Sequence, residues 1–179
     1  MDQEAMKRLV VPLIAGTVAL LTLCACQPSV DTPPMVKAAQ ENAEGIATAL
    51  KDAISAKYPE ISFRSSQVPR VYGLAQDGTC TVASTEFLAE GARVTADDLM
   101  TVIAPVMQAH GYNGLQKTRH GSSPVESLEA RNRVGAVAHL SLRVRESPAP
   151  TEISISSNGP AAGPGCNEHP SPAQPSTSS

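Results

Sequence analysis

Val137-Ala138-His139-Leu140-Ser141-Leu142-Arg143-Val144-Arg145 is the stretch whose reading decides the fold. Ala138, Leu140, Leu142 and Val144 alternate with His139, Ser141, Arg143 and Arg145, the period of two that turns one side of a strand to a core and the other to water. Shorter pieces of the same kind lie on either side, at 115–119 and 125–131 before it and at 151–156 after it, where Ile153 and Ile155 alternate with serines. Residues 132–135 and the Pro148-Ala149-Pro150 segment supply turns between them. The second half of the chain therefore reads as an antiparallel sheet of hairpin-linked strands.

Upstream the period changes. Leu99, Val102, Ile103, Val106 and Met107 recur at helical spacing, Thr95 with Asp98 sets an N-cap with an acid in the first turn, and Gly111 stops the run. Pro105 lies inside this pattern and removes a hydrogen bond to Thr101, which predicts a kink or a short first segment. A longer helix is predicted from Val36, Ala39, Ala43, Ile46, Leu50 and Ile54, ended by Pro59, with Lys57 near its negative end. Between the helices, 61–65 and 70–75 are short β-prone pieces interrupted by Pro69. Asp77-Gly78 is a hairpin signal, and 79–83 is the return strand bearing Cys80. Two helices and a run of hairpins give an α+β fold, with both helices packed on one face of a mostly antiparallel sheet. There is no internal repeat. The single domain is expected over 35–157, preceded by a proline-rich tether at 26–34. After it comes a Gly/Pro/Ser-rich tail at 158–179, ordered at most to Cys166.

The first 25 residues are a different kind of sequence. Met6-Lys7-Arg8 is a basic segment, and Leu9 to Ala25 then runs without a charge, the pattern of a secretory signal peptide. A spanning helix needs about 20 apolar residues, and this run is shorter and contains Pro12, Gly16, Thr17 and Thr22, so a permanent span is the weaker reading. Met6 is expected to be the initiator, because Asp2 and Glu4 are unusual ahead of a basic leader. Leu23-Cys24-Ala25-Cys26 closes the leader and resembles the lipobox of bacterial lipoproteins. The resemblance implies cleavage between Ala25 and Cys26, a diacylglycerol thioether on Cys26, and a protein held by lipid on the extracytoplasmic face of the cell membrane. The lipid acceptor has to be a thiolate. Cys24 fits that role less well than Cys26, since it would have Leu23 at minus one.

Removing the leader leaves 154 residues, 179 less 25, and keeps the formal charge of -3. That balance is far from the basic footprint of a nucleic-acid binder. With no Trp, three Tyr and two Phe, stacking platforms for bases or sugars are also scarce. With Cys24 gone and Cys26 acylated, Cys80 and Cys166 remain. In an oxidising setting they read first as a disulfide, with two free thiols or a metal pair as the competing readings. The plan of lipobox, proline-rich tether, long helix, Asp-Gly hairpin with a Cys, second helix, paired strands and a late Cys resembles the small LppA-like lipoproteins of actinobacterial envelopes. The Gly-Pro insertion between Ile155 and Cys166 is a departure from that plan.

No Gly-x-Ser-x-Gly elbow, Ser-x-x-Lys pair or phosphate-cradling glycine loop occurs. The four histidines, His110, His120, His139 and His169, do not stand at ligand spacing with cysteines or carboxylates. Asp97-Asp98 is explained by a helix N-terminus, and Glu126 with Glu129 is the remaining carboxylate pair. No cofactor and no metal is predicted. The one surface feature is basic: Arg143 and Arg145 on one strand, with Arg131 and Arg133 across from them and Lys117 and Arg119 extending the stripe, would suit an anionic headgroup or wall polymer. A solvated sheet face accounts for the same residues. The sequence thus predicts a non-catalytic envelope protein contacting an envelope protein or anionic polymer. The alternative is a carrier of lipid or another apolar ligand, and an enzyme would need a polar cluster the sequence does not display.

Overall fold

The structure, a computed structural model, describes residues 33–73, 78–119, 123–143 and 151–166. The elements run α1 (Val36–Lys57), β1 (Arg64–Gln67), β2 (Arg70–Tyr72), β3 (Thr79–Ala83), β4 (Glu86–Ala92), α2 (Ala96–Ala109), β5 (Asn113–Arg119), β6 (Val125–Arg131), β7 (Val137–Arg143), β8 (Thr151–Ala162) and one 3-10 turn, Pro164–Cys166. All eight strands form one antiparallel sheet in the order β1-β4-β8-β7-β6-β5, with β2 on β3 and β3 on β8. Both helices lie on one face, α1 over β8 and β3 and α2 over β5 and β6. This is the α+β arrangement the sequence predicts.

The decisive stretch behaves as its period requires. Ala138, Leu140 and Leu142 are buried under the helices, with His139 and Ser141 partly exposed on the far side. They join Leu128, Ala130, Ile153 and Ile155 from neighbouring strands and Ile46, Leu50, Ile54, Leu99, Ile103 and Met107 from the helices in one core. Each fully buried Leu or Ile there contributes about 1.5–3 kcal/mol. A smaller cluster of Ala39, Cys80, Val82, Ala161 and Cys166 lies at the start of α1. It is closed by the Cys80–Cys166 disulfide, whose Cα atoms are 5.4 Å apart.

Helix α2 has the reciprocal cap: Asp98 N–H donates to Thr95 Oγ1 at 3.1 Å, and Thr95 N–H donates to Asp98 Oδ2 at 3.1 Å. Gly111 follows it with φ of 78°, the left-handed position that favours glycine. The helix continues unbroken through Pro105, so the short first segment does not form.

Three elements differ from the sequence reading, the first being β1, which spans Arg64–Gln67 where a strand is expected over 61–65. β4 lies in residues to which no strand was assigned. β8 does not stop at Ser156 but runs on to Ala162, and the chain continues into the 3-10 turn, so the expected break at 158 is interior to a strand. The reason is β3, which pairs with β8 from Asn158 to Ala162 while β7 ends opposite Asn158. Past that point β8 has a ladder on one side only, where proline is tolerated, and Pro160 sits opposite Thr81.

Candidate functional site

β3 and β4 run alongside the same partner, β8, and their registers differ by one residue. Ala83 faces Asn158 and Phe87 faces Ile155, four steps along one strand against three along the other. The extra residue is a β-bulge at Ser84-Thr85. Ser84 N–H donates to the Ser157 carbonyl at 2.8 Å, and Ser157 N–H donates to Ser84 Oγ at 2.9 Å. Ser157 Oγ donates to the Val137 carbonyl at 3.0 Å and lies 3.4 Å from the Tyr112 hydroxyl. Burial pushes the Tyr112 phenol up, and its hydrogen bond to Ser157 offsets part of this. On the helix side Glu44 of α1 accepts from Thr85 N–H at 2.6 Å and from Thr85 Oγ1 at 3.1 Å. Buried polar groups that would each cost about 1–3 kcal/mol unpaired are thus satisfied in one chain of contacts from α1 through the bulge to β7.

On the opposite face the bulge opens a hollow of about 110 Å³ lined by residues that include Gln67, Arg70, Tyr72, Glu86, Ser156 and Asn158. The Arg70 guanidinium stands 5.8 Å from the Tyr72 ring centre, a cation–π contact. Glu86 is fixed by hydroxyl donors, Ser66 Oγ at 2.8 Å and Ser154 Oγ at 2.7 Å. The hollow therefore offers a cation, a held carboxylate and neutral amide and hydroxyl groups. That set can hydrogen-bond a small polar or zwitterionic group.

The rest of that face is hydroxyl-rich. Thr118, Ser127, Ser141 and Ser154 stand opposite one another across four strands. Beside them Arg64 pairs with Glu90 across strands at 3.2 Å, and His139 Nε2 lies 3.7 Å from Glu129 Oε1. Among the described residues no group of three or more His, Cys, Asp or Glu could hold a metal ion.

Among the described residues the predicted basic stripe does not assemble. Arg131 and Arg143 share the outer face, but Arg131 is opposite Val137 and Arg143 opposite Val125, at the two ends of the β6–β7 pair. Lys117 and Arg119 fall on the helix side, because β5 turns Leu115 to the core and residues of the same parity follow it. There Lys117 donates to Asp97 at 2.6 Å, which raises its pKa, and Arg119 is 4.0 Å from Glu126. Arg133 sits in the β6–β7 turn. Arg145, Ala25 and Cys26 lie outside the described residues, as do Met6, His120, His169 and Asp77.

The bulge is what the sequence reading missed. A Ser84-Thr85 pair directly after the β-prone run at 79–83 is its only signal. The space between α1 and the sheet, bounded by Ala39, Ala43, Tyr112, Ala136 and Gly159 among others, is about 10 Å³, room for a single water.

No protein-family model matches the chain, and no curated protein matches it. Among solved structures, the chain is similar to a DUF4853 family protein from Actinomyces odontolyticus, with a TM-score of 0.49 and 10% identity over 75% of this chain and 76% of that one.

Proposed function

We propose that the chain is a lipid-anchored protein of the bacterial cell envelope, acylated on Cys26, whose folded domain works by contact with another envelope component and not by catalysis. The observation that carries this reading is the lipobox at 23–26, in register with a basic segment and an uncharged run. Three titratable groups among the described residues are shifted by their own neighbours. Asp98 is lowered by its hydrogen bonds from Thr95 in a helix cap, Lys117 is raised by Asp97 in an ion pair, and Tyr112 is raised by burial. Each has a structural explanation.

The hollow at the bulge is the proposed contact point, for a partner that offers an anionic group to Arg70 and a donor to Glu86. A carrier needs several hundred cubic ångströms of apolar space, and the roughly 10 Å³ beneath α1 gives that reading no support.

Two measurements test the proposal. The mass of the N-terminal peptide from membranes should show Cys26 as the first residue with a diacylglycerol thioether, and an unmodified Cys26 inside a longer peptide would refute the anchor. Crosslinking in intact envelope should capture a partner that is lost in Arg70→Ala. The same partner captured equally by Arg70→Ala would refute the contact point.

A further inference from the structure

The start of α1 breaks the rules that α2 obeys. Its N-cap is Met35, which makes no side-chain cap, and its first turn contains no acid. Lys37 stands in that turn instead, at the end of the helix where the dipole disfavours a cation. Met35 is 67% exposed, a large apolar side chain left in water. Around it Val36, Ala162 and Pro164 line a hollow of about 260 Å³. Departures of this kind from local consistency cluster where a surface has a task.

The platform is held firmly. Ala162 N–H donates to the Pro34 carbonyl at 2.9 Å, and Met35 bridges to Ala162. The disulfide fastens the 3-10 turn that carries Pro164, and Gly165 approaches Val36 so closely that a Cβ on it would be 3.1 Å from the valine side chain. One basic group, Lys37, lines the apolar hollow. The Lys37 side chain is 89% exposed and pairs with Glu41, 66% exposed, at 3.8 Å. Arg133, in the β6–β7 turn, lines a separate groove whose wall includes Pro34, the residue that precedes Met35. Seven residue steps separate Cys26 from Pro33, 33 less 26, a reach of about 25 Å at full extension. An acyl chain on Cys26 would keep this pole within that distance of the bilayer.

We propose that the pole formed by Met35, Val36, Pro164, Lys37 and Arg133 rests on the surface of an anionic bilayer, with Met35 entering the headgroup region. This rests on the reading of Cys26 as the lipid anchor. Two weak signals together hold a protein on a membrane where one does not, and an apolar contact flanked by cations is the second signal.

Oxidation of Met35 tests it. The lipidated chain is placed in vesicles of phosphatidylcholine, or of phosphatidylcholine with phosphatidylglycerol, and treated with hydrogen peroxide. Sulfoxide at Met35 is measured by peptide mass spectrometry relative to Met100, a partly buried residue of α2. The Met35 to Met100 ratio should fall several-fold in the anionic vesicles, and each cation contributes about fivefold to surface binding. Lys37→Glu with Arg133→Glu should restore the ratio seen in phosphatidylcholine. Lys37→Glu places an acid where the helix dipole favours one, so loss of docking is separable from loss of fold.

Equal ratios in both vesicles overturn the proposal, as does protection that survives the double charge reversal. Protection that grows with protein concentration in the absence of lipid overturns it in favour of a second copy on this face. Failure of the anchor is read separately, from the mass of the Cys26 peptide. An unacylated chain whose Met35 is still protected by added anionic vesicles would support the docking surface without the anchor.

Discussion

Gly159→Ala is the substitution whose cost the structure defines most directly. A Cβ built on Gly159 would stand 2.5 Å from the Cβ of Ala136 and 3.1 Å from its Cα. Carbon atoms do not approach so closely without displacement, and the neighbour cannot swing away, being a methyl on the backbone. The turn carrying Ala136 is also fixed: Asn132 Oδ1 accepts from Val134 N–H at 3.1 Å and from Ala136 N–H at 2.8 Å, and Gly135 has φ of 84°. On the other side Gly159 is paired with the fully buried Val82 of β3. Overpacking of this kind costs about 1–3 kcal/mol. Replacing glycine also lowers the entropy of the unfolded chain, which returns roughly 0.4–1 kcal/mol. The two terms together give a net loss of up to about 2.5 kcal/mol, with a mid-range value of about 1.3 kcal/mol. The protein has no tryptophan, so urea unfolding is best followed by far-ultraviolet circular dichroism, with the midpoint falling at unchanged slope. Ala136→Gly in the same chain removes the 2.5 Å contact and should recover part of the loss, a coupling of about 1 kcal/mol in a double-mutant cycle. A Gly159→Ala protein as stable as its parent, or one unaffected by Ala136→Gly, would show that the β6–β7 turn does not press on β8 as described.

The disulfide closes 86 residues, and in the chain-entropy model its removal by Cys80→Ala with Cys166→Ala costs roughly 4–5 kcal/mol; an unchanged unfolding midpoint would contradict it. Glu44→Ala leaves the Thr85 N–H at the bulge without its acceptor and should cost about 1–3 kcal/mol, with Glu44→Gln milder because its side-chain oxygen can still accept; equal stability of all three proteins would remove Glu44 from the bulge network. Asp98 is held below the ordinary carboxylate range by its hydrogen bonds with Thr95, so its contribution is complete above the unfolded pKa and is lost as pH falls through the lower folded value. Asp98→Asn should therefore reduce stability at neutral pH and flatten the acid limb, and a variant with the parent's acid limb would count against the capping box as its source.

Where a residue's surroundings are set by its own element, the sequence was sufficient. The α1 face of Ala39, Ala43, Ile46, Leu50 and Ile54 is buried as its spacing requires, and β3 and β6 have the bounds their patterns predict. The reading failed where a partner distant in sequence decides the outcome. Asn158 to Ala162 contains Gly and Pro and looks like a tail, yet β3, some eighty residues earlier, makes it a strand. Glycine is needed at 159 because Ala136 approaches from a third element. No local rule contains either fact.

The same distinction separates the two surfaces proposed for this chain from the one that dissolved. Arg131, Arg143, Lys117 and Arg119 looked like a stripe because each lies in a strand of legible period, but which strand faces which, and with what offset, is a property of pairing. One residue of parity sends Lys117 to Asp97 on the helix side, and six residues of register part Arg131 from Arg143. The hollow at Ser84-Thr85 exists for the converse reason: a single inserted residue breaks parity locally, so that hydroxyls which would have pointed to one face serve both. The pole at Met35 was partly legible all along, since an exposed methionine ahead of a cation at the start of a helix contradicts capping preference whatever the tertiary structure. What folding adds is Pro164, brought beside it by the disulfide, and Arg133, which the β6–β7 turn places in a groove with Pro34, the residue before Met35. A violated local rule marks the position, and the assembled ends of β8 and β6 supply the other residues of the proposed contact.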